Sequence, residues 1–166
     1  MEAKVMAERR IYLVRHGVAE DIAPSGRDVD RRLTEDGRRR LERTLERTRR
    51  LDVSIDLLVS SPRVRAVQTA DVLAAGLSPV RREIWSDLDC GVDQLALSAR
   101  IDAEPPGRSV MLVGHQPDCS ALLSYWLCGR PTAFPSKFRK GAIACVQADA
   151  LPPAGRATLE FFLPPL

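Results

Sequence analysis

This 166-residue chain carries two histidines, and each stands at the end of an apolar run. Ile11-Tyr12-Leu13-Val14 gives way to Arg15-His16-Gly17, and Val110-Met111-Leu112-Val113 to Gly114-His115. Short apolar runs that end this way read as buried strands emerging into loops. A third exit of the same kind, Ser60-Ser61-Pro62-Arg63-Val64-Arg65, follows the run that begins at Ile55. One histidine at a strand end is more often a packed residue than a reactive one. Two at the same topological position, with arginines at two of the three exits, predict a shared site. A neutral imidazole is a nucleophile, a protonated one stabilises charge, and a guanidinium matches phosphate oxygens with a planar fork. The chemistry these residue types share is phosphoryl transfer through a covalent phosphohistidine, without metal. Arg15, His16 and His115 are its candidates, with Arg63 or Arg65 as the second arginine.

The remaining pattern supplies a frame for those exits. A polar loop over 20–30 leads to Thr34, a candidate N-cap followed by Glu35 and Asp36 in the first helical turn. Leu41, Leu45 and Leu51 mark the apolar stripe of that helix. Ile55–Ser60 is the second strand, and Ser61-Pro62 is expected to cap a helix that runs from Arg63 to about Ala75 and stops at Gly76. Val80–Trp85 reads as an edge strand, and 92–103 as a helix with Leu95, Leu97 and Ile101 inward. After Val110–Val113, Pro117 opens a helix that Gly129 closes. Residues 142–147 and 157–162 read as closing strands around the turn at Pro152-Pro153-Ala154-Gly155. Strands alternating with helices predict an α/β fold, a mostly parallel sheet with helices on both faces. The length suits a single domain over 1–166. In such sheets ligands bind beyond the carboxyl ends of the strands, where both histidines lie.

Bulk properties exclude several classes. A net charge of +3 is compatible with an anionic substrate and too small to argue for nucleic acid. Arginines between Arg38 and Arg50 alternate with Glu42 and Glu46 as on a solvated helical face. Cys90, Cys119, Cys128 and Cys145 lack metal-ligand spacing and read as reduced, mostly packed thiols. The charged segment Met1–Arg10 lacks the apolar core of a signal peptide, and no run is long enough to span a bilayer. The expectation is a cytoplasmic protein with no membrane association and no cofactor.

Leu-Val-Arg-His-Gly at the first exit, Ser-Pro-Arg-Val-Arg-Ala-Val-Gln-Thr-Ala at the second and Val-Gly-His-Gln-Pro-Asp at the third resemble the histidine phosphatase superfamily, the phosphoglycerate mutase-like group with the Arg-His-Gly motif. The motifs stand in that family's order from residue 11 to about 118. The resemblance implies a three-layer α/β/α sandwich with His16 as the phosphorylated nucleophile and Arg15 as the phosphate-binding arginine beside it. It places the pocket arginine on Arg65 and turns Arg63 to solvent. His115 matches the second histidine, expected to hold a phosphoryl oxygen in its protonated form. Arg31, or its neighbour Arg32, resembles an additional phosphate-binding residue of the short family members.

The family's usual general acid is a glutamate in the loop after the third strand, where this chain has Asp87 and Asp89. Asp87 is the nearer match. Short loops leave no segment for a cap over a sugar phosphate, and nothing shields a phosphoenzyme as a mutase requires. The chain therefore looks like the short SixA-like branch, which removes phosphate from phosphohistidine on signalling proteins. The resemblance implies a phosphorylated protein as partner. A phosphatase of small phosphate esters, or a catalytically silent phosphate-binding module, are the alternatives.

Overall fold

The computed structural model describes residues 8–151 and 153–166. Segment 1–7 and Pro152 lie outside them, so the reading of Met1–Ala7 and of the full proline turn has no structural counterpart here. Six strands form one sheet in the order β3-β2-β4-β1-β5-β6. They are β1 (Arg9–Arg15), β2 (Leu57–Ser60), β3 (Arg81–Ile84), β4 (Val110–Gly114), β5 (Ile143–Ala148) and β6 (Thr158–Leu163). β1 to β4 run parallel, and β5 and β6 are antiparallel additions. β3 is an edge strand, as its arginines predict.

Side-chain alternation sends the strands' apolar residues to two separate layers. Tyr12, Val14, Leu58, Met111 and Val113 pack with Leu41, Leu45, Ala70 and Leu73 of α1 (Glu35–Thr48) and α2 (Val64–Leu77). Ile11, Leu13, Val59 and Leu112 pack with Leu97, Ile101, Leu122 and Trp126 of α3 (Gln94–Asp102) and α4 (Asp118–Cys128). The three-layer α/β/α sandwich expected from the sequence is the architecture found.

Local corrections have physical causes. Thr34 caps α1 as expected, its hydroxyl accepting from Gly37 N–H at 2.9 Å. Gly37 is required there, because a Cβ would lie 2.1 Å from the Val18 carbonyl oxygen. α2 does not start at Pro62. Arg63, itself in the extended conformation, is the N-cap residue, and the helix begins at Val64. Nor does it stop at Gly76, which lies inside α2 where a Cβ would meet Leu45 Cδ2 at 2.4 Å. That glycine serves close packing of α2 on α1, and Ser78 takes the left-handed terminal conformation instead. Leu51 and Leu95, expected inward, are exposed because both fall outside the buried stripes of their segments. Cys119 and Cys145 are buried, whereas Cys90 and Cys128 are exposed, so only half of the thiols are packed. Not every loop is short: the connections over 16–34 and 129–142, which contain the expected loop at 20–30 and an irregular stretch at 131–140, both border the carboxyl ends of the parallel strands.

Candidate active site

Sheet register brings the three exits together. Arg15 pairs with Gly114 across β1 and β4, and Ser60 with Val113 across β2 and β4. One residue beyond, the backbone bonds continue: His16 N–H donates to Gly114 O at 3.0 Å, and Ser61 N–H to Val113 O at 3.0 Å. On the other side, Gly141 N–H reaches the carbonyls of Arg15 and His16, each at 3.0 Å. The reactive ends are thus fixed by the ladder, and the rings of His16 and His115 lie 5.2 Å apart.

His16 is buried, and its protonation pattern follows from its neighbours. Nδ1 lies 2.7 Å from the Gly17 carbonyl oxygen, which can only accept, so Nδ1 carries the proton. Nε2 is left with its lone pair and accepts from Arg65 Nε at 3.3 Å. Burial, with the charges of His115, Arg65 and Arg15 acting the same way, lowers the pKa to about 3, against the Gly17 bond that raises it. The imidazole is neutral at physiological pH. Gly17 N–H donates to Thr69 Oγ1 at 3.0 Å, and Thr69 donates to the Arg65 carbonyl at 2.7 Å, so one threonine ties the histidine loop to the arginine's helix.

His115 is also buried. Its Nε2 meets Ser61 Oγ at 2.7 Å, and Nδ1 has no hydrogen-bond partner. Burial first, then the charges of Arg65 and Arg63, lower its pKa to about 4. The resting form of His115 is therefore neutral. Two neighbouring guanidinium groups oppose another cation until an anion enters.

Arg15 sends Nη1 to the Phe138 carbonyl at 2.9 Å, and its Nε is buried without a partner. Arg65 is buried, with Nη1 on the Asp28 carbonyl at 2.8 Å and Nη2 on Asp28 Oδ2 at 3.2 Å. Arg63 does not face solvent as expected. It bridges the carboxylates of Asp28 and Asp89, which hold it against the loops. Arg31 Nε donates to Asp28 Oδ1 at 2.9 Å, which puts Arg31 on the site's margin, while Arg32 is exposed.

Asp87, the first candidate acid, binds Arg100 of α3, whose guanidinium also lies 4.1 Å from the centre of the Trp85 ring. That pairing ties Asp87 to α3. Asp89 is the loop carboxylate whose charge acts on His115. Its bond from Arg63 holds its own pKa below the ordinary carboxylate value, so Asp89 is ionised at neutral pH.

Arg15, His16, Arg65 and His115 converge as the sequence predicts. Asp28, Ser61 and Thr69 were not anticipated as site residues. Ser61 had a signal, its place directly after the β2 apolar run, but it reads equally well as a helix cap. Among the described residues no group of three or more His, Cys, Asp or Glu side chains is placed to hold a metal ion. No described helix is long and apolar enough to cross a membrane.

The fold and sequence have counterparts. A structure of the protein histidine phosphatase SixA complexed with tungstate superposes with a TM-score of 0.79 and 28% identity, covering 93% of this chain and 96% of that one. An uncharacterized protein of Picosynechococcus sp. is 37% identical over 112 residues, 65% of this chain and 67% of that protein. The mitochondrial serine/threonine-protein phosphatase Pgam5 of Drosophila yakuba is 34% identical over 123 residues, 74% of this chain. The match spans only 38% of the length of that Pgam5. The model of the histidine phosphatase superfamily (branch 1) matches residues 11–94, half of the chain. On that match and that degree of identity, this chain belongs to branch 1 of the histidine phosphatase superfamily.

Proposed function

We propose that the chain, acting as one domain over 1–166, is a metal-independent phosphatase that removes phosphate from phosphohistidine on a protein. The observation that carries the mechanism is the His16 tautomer, fixed by Gly17 O so that a neutral Nε2 faces Arg65. In the first step Nε2 attacks phosphorus, the P–N bond to His16 forms, and the bond to the leaving nitrogen breaks. Water then attacks the phosphoenzyme, and inorganic phosphate leaves with His16 restored. Arg15 and Arg65 bind the phosphoryl oxygens, whose negative charge favours protonation of His115 so that it donates to one of them. Most of the rate gain comes from such prepositioned charge.

The state of the two loop aspartates supports this substrate class. An alkoxide leaving group needs a proton, but Asp87 is committed to Arg100 and Asp89 is held ionised by Arg63. A protonated imidazole leaves without that help. Likeness to SixA supports the same substrate. The second reading, a phosphatase of phosphate esters, is favoured by the likeness to Pgam5, named a serine/threonine-protein phosphatase.

The test is turnover of a phosphohistidine-bearing protein against a small aryl phosphate, with wild type and His16→Ala, in EDTA. Faster cleavage of the phosphoprotein and a loss of about 10³-fold or more in the variant are expected. Preference for the aryl ester would favour the second reading, and loss of activity in EDTA would sink the metal-free mechanism.

A further inference from the structure

The carboxylates and the uncompensated cations around the site lie on opposite sides of it. Asp28 and Asp89 gather on Arg63, beyond β2 and β3. Across the sheet order β3-β2-β4-β1-β5, the segment leading into β5 brings Lys137 and Arg139 to the flank of β1. With Arg15, Gln116, Ser136 and Phe138 they line an open groove of about 290 Å³ that contains no carboxylate. Among the described residues neither Lys137 nor Arg139 has an acidic side chain within salt-bridge distance, and both are exposed.

This groove is built into the catalytic frame. One wall is joined to Arg15 through the Phe138 carbonyl and to His16 through Gly141 N–H. Its floor is a chain of polar contacts. Gln116 Nε2 donates to Ser120 Oγ at 2.7 Å, Ser120 N–H returns to Gln116 Oε1 at 2.9 Å, and Ser136 Oγ lies 3.1 Å from Ser120 Oγ. A phosphoryl group on His16 would therefore have a ledge of cations without carboxylate partners on the β5 side.

We infer that the ledge of Lys137 and Arg139 docks an acidic segment of the phosphoprotein, next to its phosphohistidine. The inference rests on the proposed phosphohistidine substrate and adds the charge of its surroundings. An open groove with exposed cations suits an extended polypeptide carrying Asp or Glu, because rim charges steer encounter and set orientation at low ionic strength. On the opposite rim Asp28 and Asp89 already compensate Arg31, Arg63 and Arg65, so the uncompensated cations that would attract the segment lie on the β5 side.

The experiment uses two phosphohistidine peptides that differ only in flanking residues, Glu in one and Lys in the other, with a small aryl phosphate as reference. Wild type should cleave the Glu peptide with kcat/KM about tenfold higher in low salt, an advantage that shrinks at high salt. In Lys137→Glu/Arg139→Glu that preference should vanish or reverse while aryl phosphate turnover stays unchanged. Equal kcat/KM for the two peptides, or a preference that survives the double charge reversal, would overturn the docking inference and leave the phosphohistidine activity intact. Cleavage of the aryl ester with neither peptide cleaved would remove the phosphohistidine reading itself. A diacidic aryl phosphate cleaved better than the Glu peptide would give the ledge to a small anionic substrate instead.

Discussion

Arg65 faces His16 across 3.3 Å with its Nε–H on the histidine's Nε2, while Asp28 holds both of its terminal nitrogens. The guanidinium proposed to bind a phosphoryl group is thus already engaged on both sides. Asp28 also takes Arg63 and Arg31, so a single half-exposed carboxylate occupies three arginine forks at the mouth of the site. An entering phosphate competes with that carboxylate for at least Arg65.

Asp28→Asn keeps the side chain's size and removes its charge. Inorganic phosphate should then inhibit turnover at a concentration about three- to tenfold lower, since it no longer has to displace a half-exposed ion pair from Arg65. Product inhibition constants for both forms decide it. An unchanged constant would mean that Asp28 does not contest the phosphate position.

The two loop aspartates should separate cleanly. Asp87→Ala breaks a pair with Arg100 at the edge of α3, and turnover of an aryl phosphate should stay within about twofold, with a stability loss of at most about 1 kcal/mol. Asp89→Ala removes a negative charge acting on His115 and frees Arg63. Turnover there should fall about tenfold, chiefly in kcat. A strong loss of kcat in Asp87→Ala with normal activity in Asp89→Ala would restore Asp87 as the acid.

Convergence of the strand exits was legible because it depends on backbone alone. Once the runs ending at Arg15, Ser60 and Gly114 are parallel neighbours, register places His16, Ser61 and His115 side by side whatever their side chains do. The helix ends around Pro62 and Gly76 were not legible. Their local signals, a proline after serine and a glycine after an apolar stripe, were overridden by contacts to residues far along the chain. Gly76 answers to Leu45, and Arg63 to Asp28 and Asp89. Charge state was equally hidden, because the resting proton inventory of His115 depends on arginines whose side-chain directions no spacing rule supplies.

Gly37 ties the first helix to the site-bearing loop. Its Cα sits beneath the Val18 carbonyl, the same oxygen that accepts Thr34 N–H at 3.0 Å. Gly37→Ala forces backbone against Cβ, and neither can yield as a flexible side chain would. Urea denaturation should show a loss of about 1–3 kcal/mol, the usual cost of overpacking, despite alanine's better helix propensity. A stabilised variant would mean that the Val18 turn is free to move.

Acid sensitivity should begin with the histidines. Their pKa values of about 3 for His16 and about 4 for His115 lie below the ordinary 6.5, so the unfolded chain takes up protons first. The histidines' contribution should therefore be fully present at neutral pH and fall as pH drops from 6.5 toward 4, with a limiting slope of about 1.4 kcal/mol per pH unit for each histidine. The carboxylates of Asp28 and Asp89, held below 3.8, retain their stabilising charge until the pH is lower still, which leaves this window to the imidazoles. Urea midpoints at pH 7, 5.5 and 4.5 should decline in the wild type and flatten in His16→Gln/His115→Gln; parallel declines in both would place the acid sensitivity elsewhere. A bound oxyanion reverses the local balance at His115 by offsetting Arg65 and Arg63. Vanadate binding should then take up a proton and oppose the loss of stability over the same window.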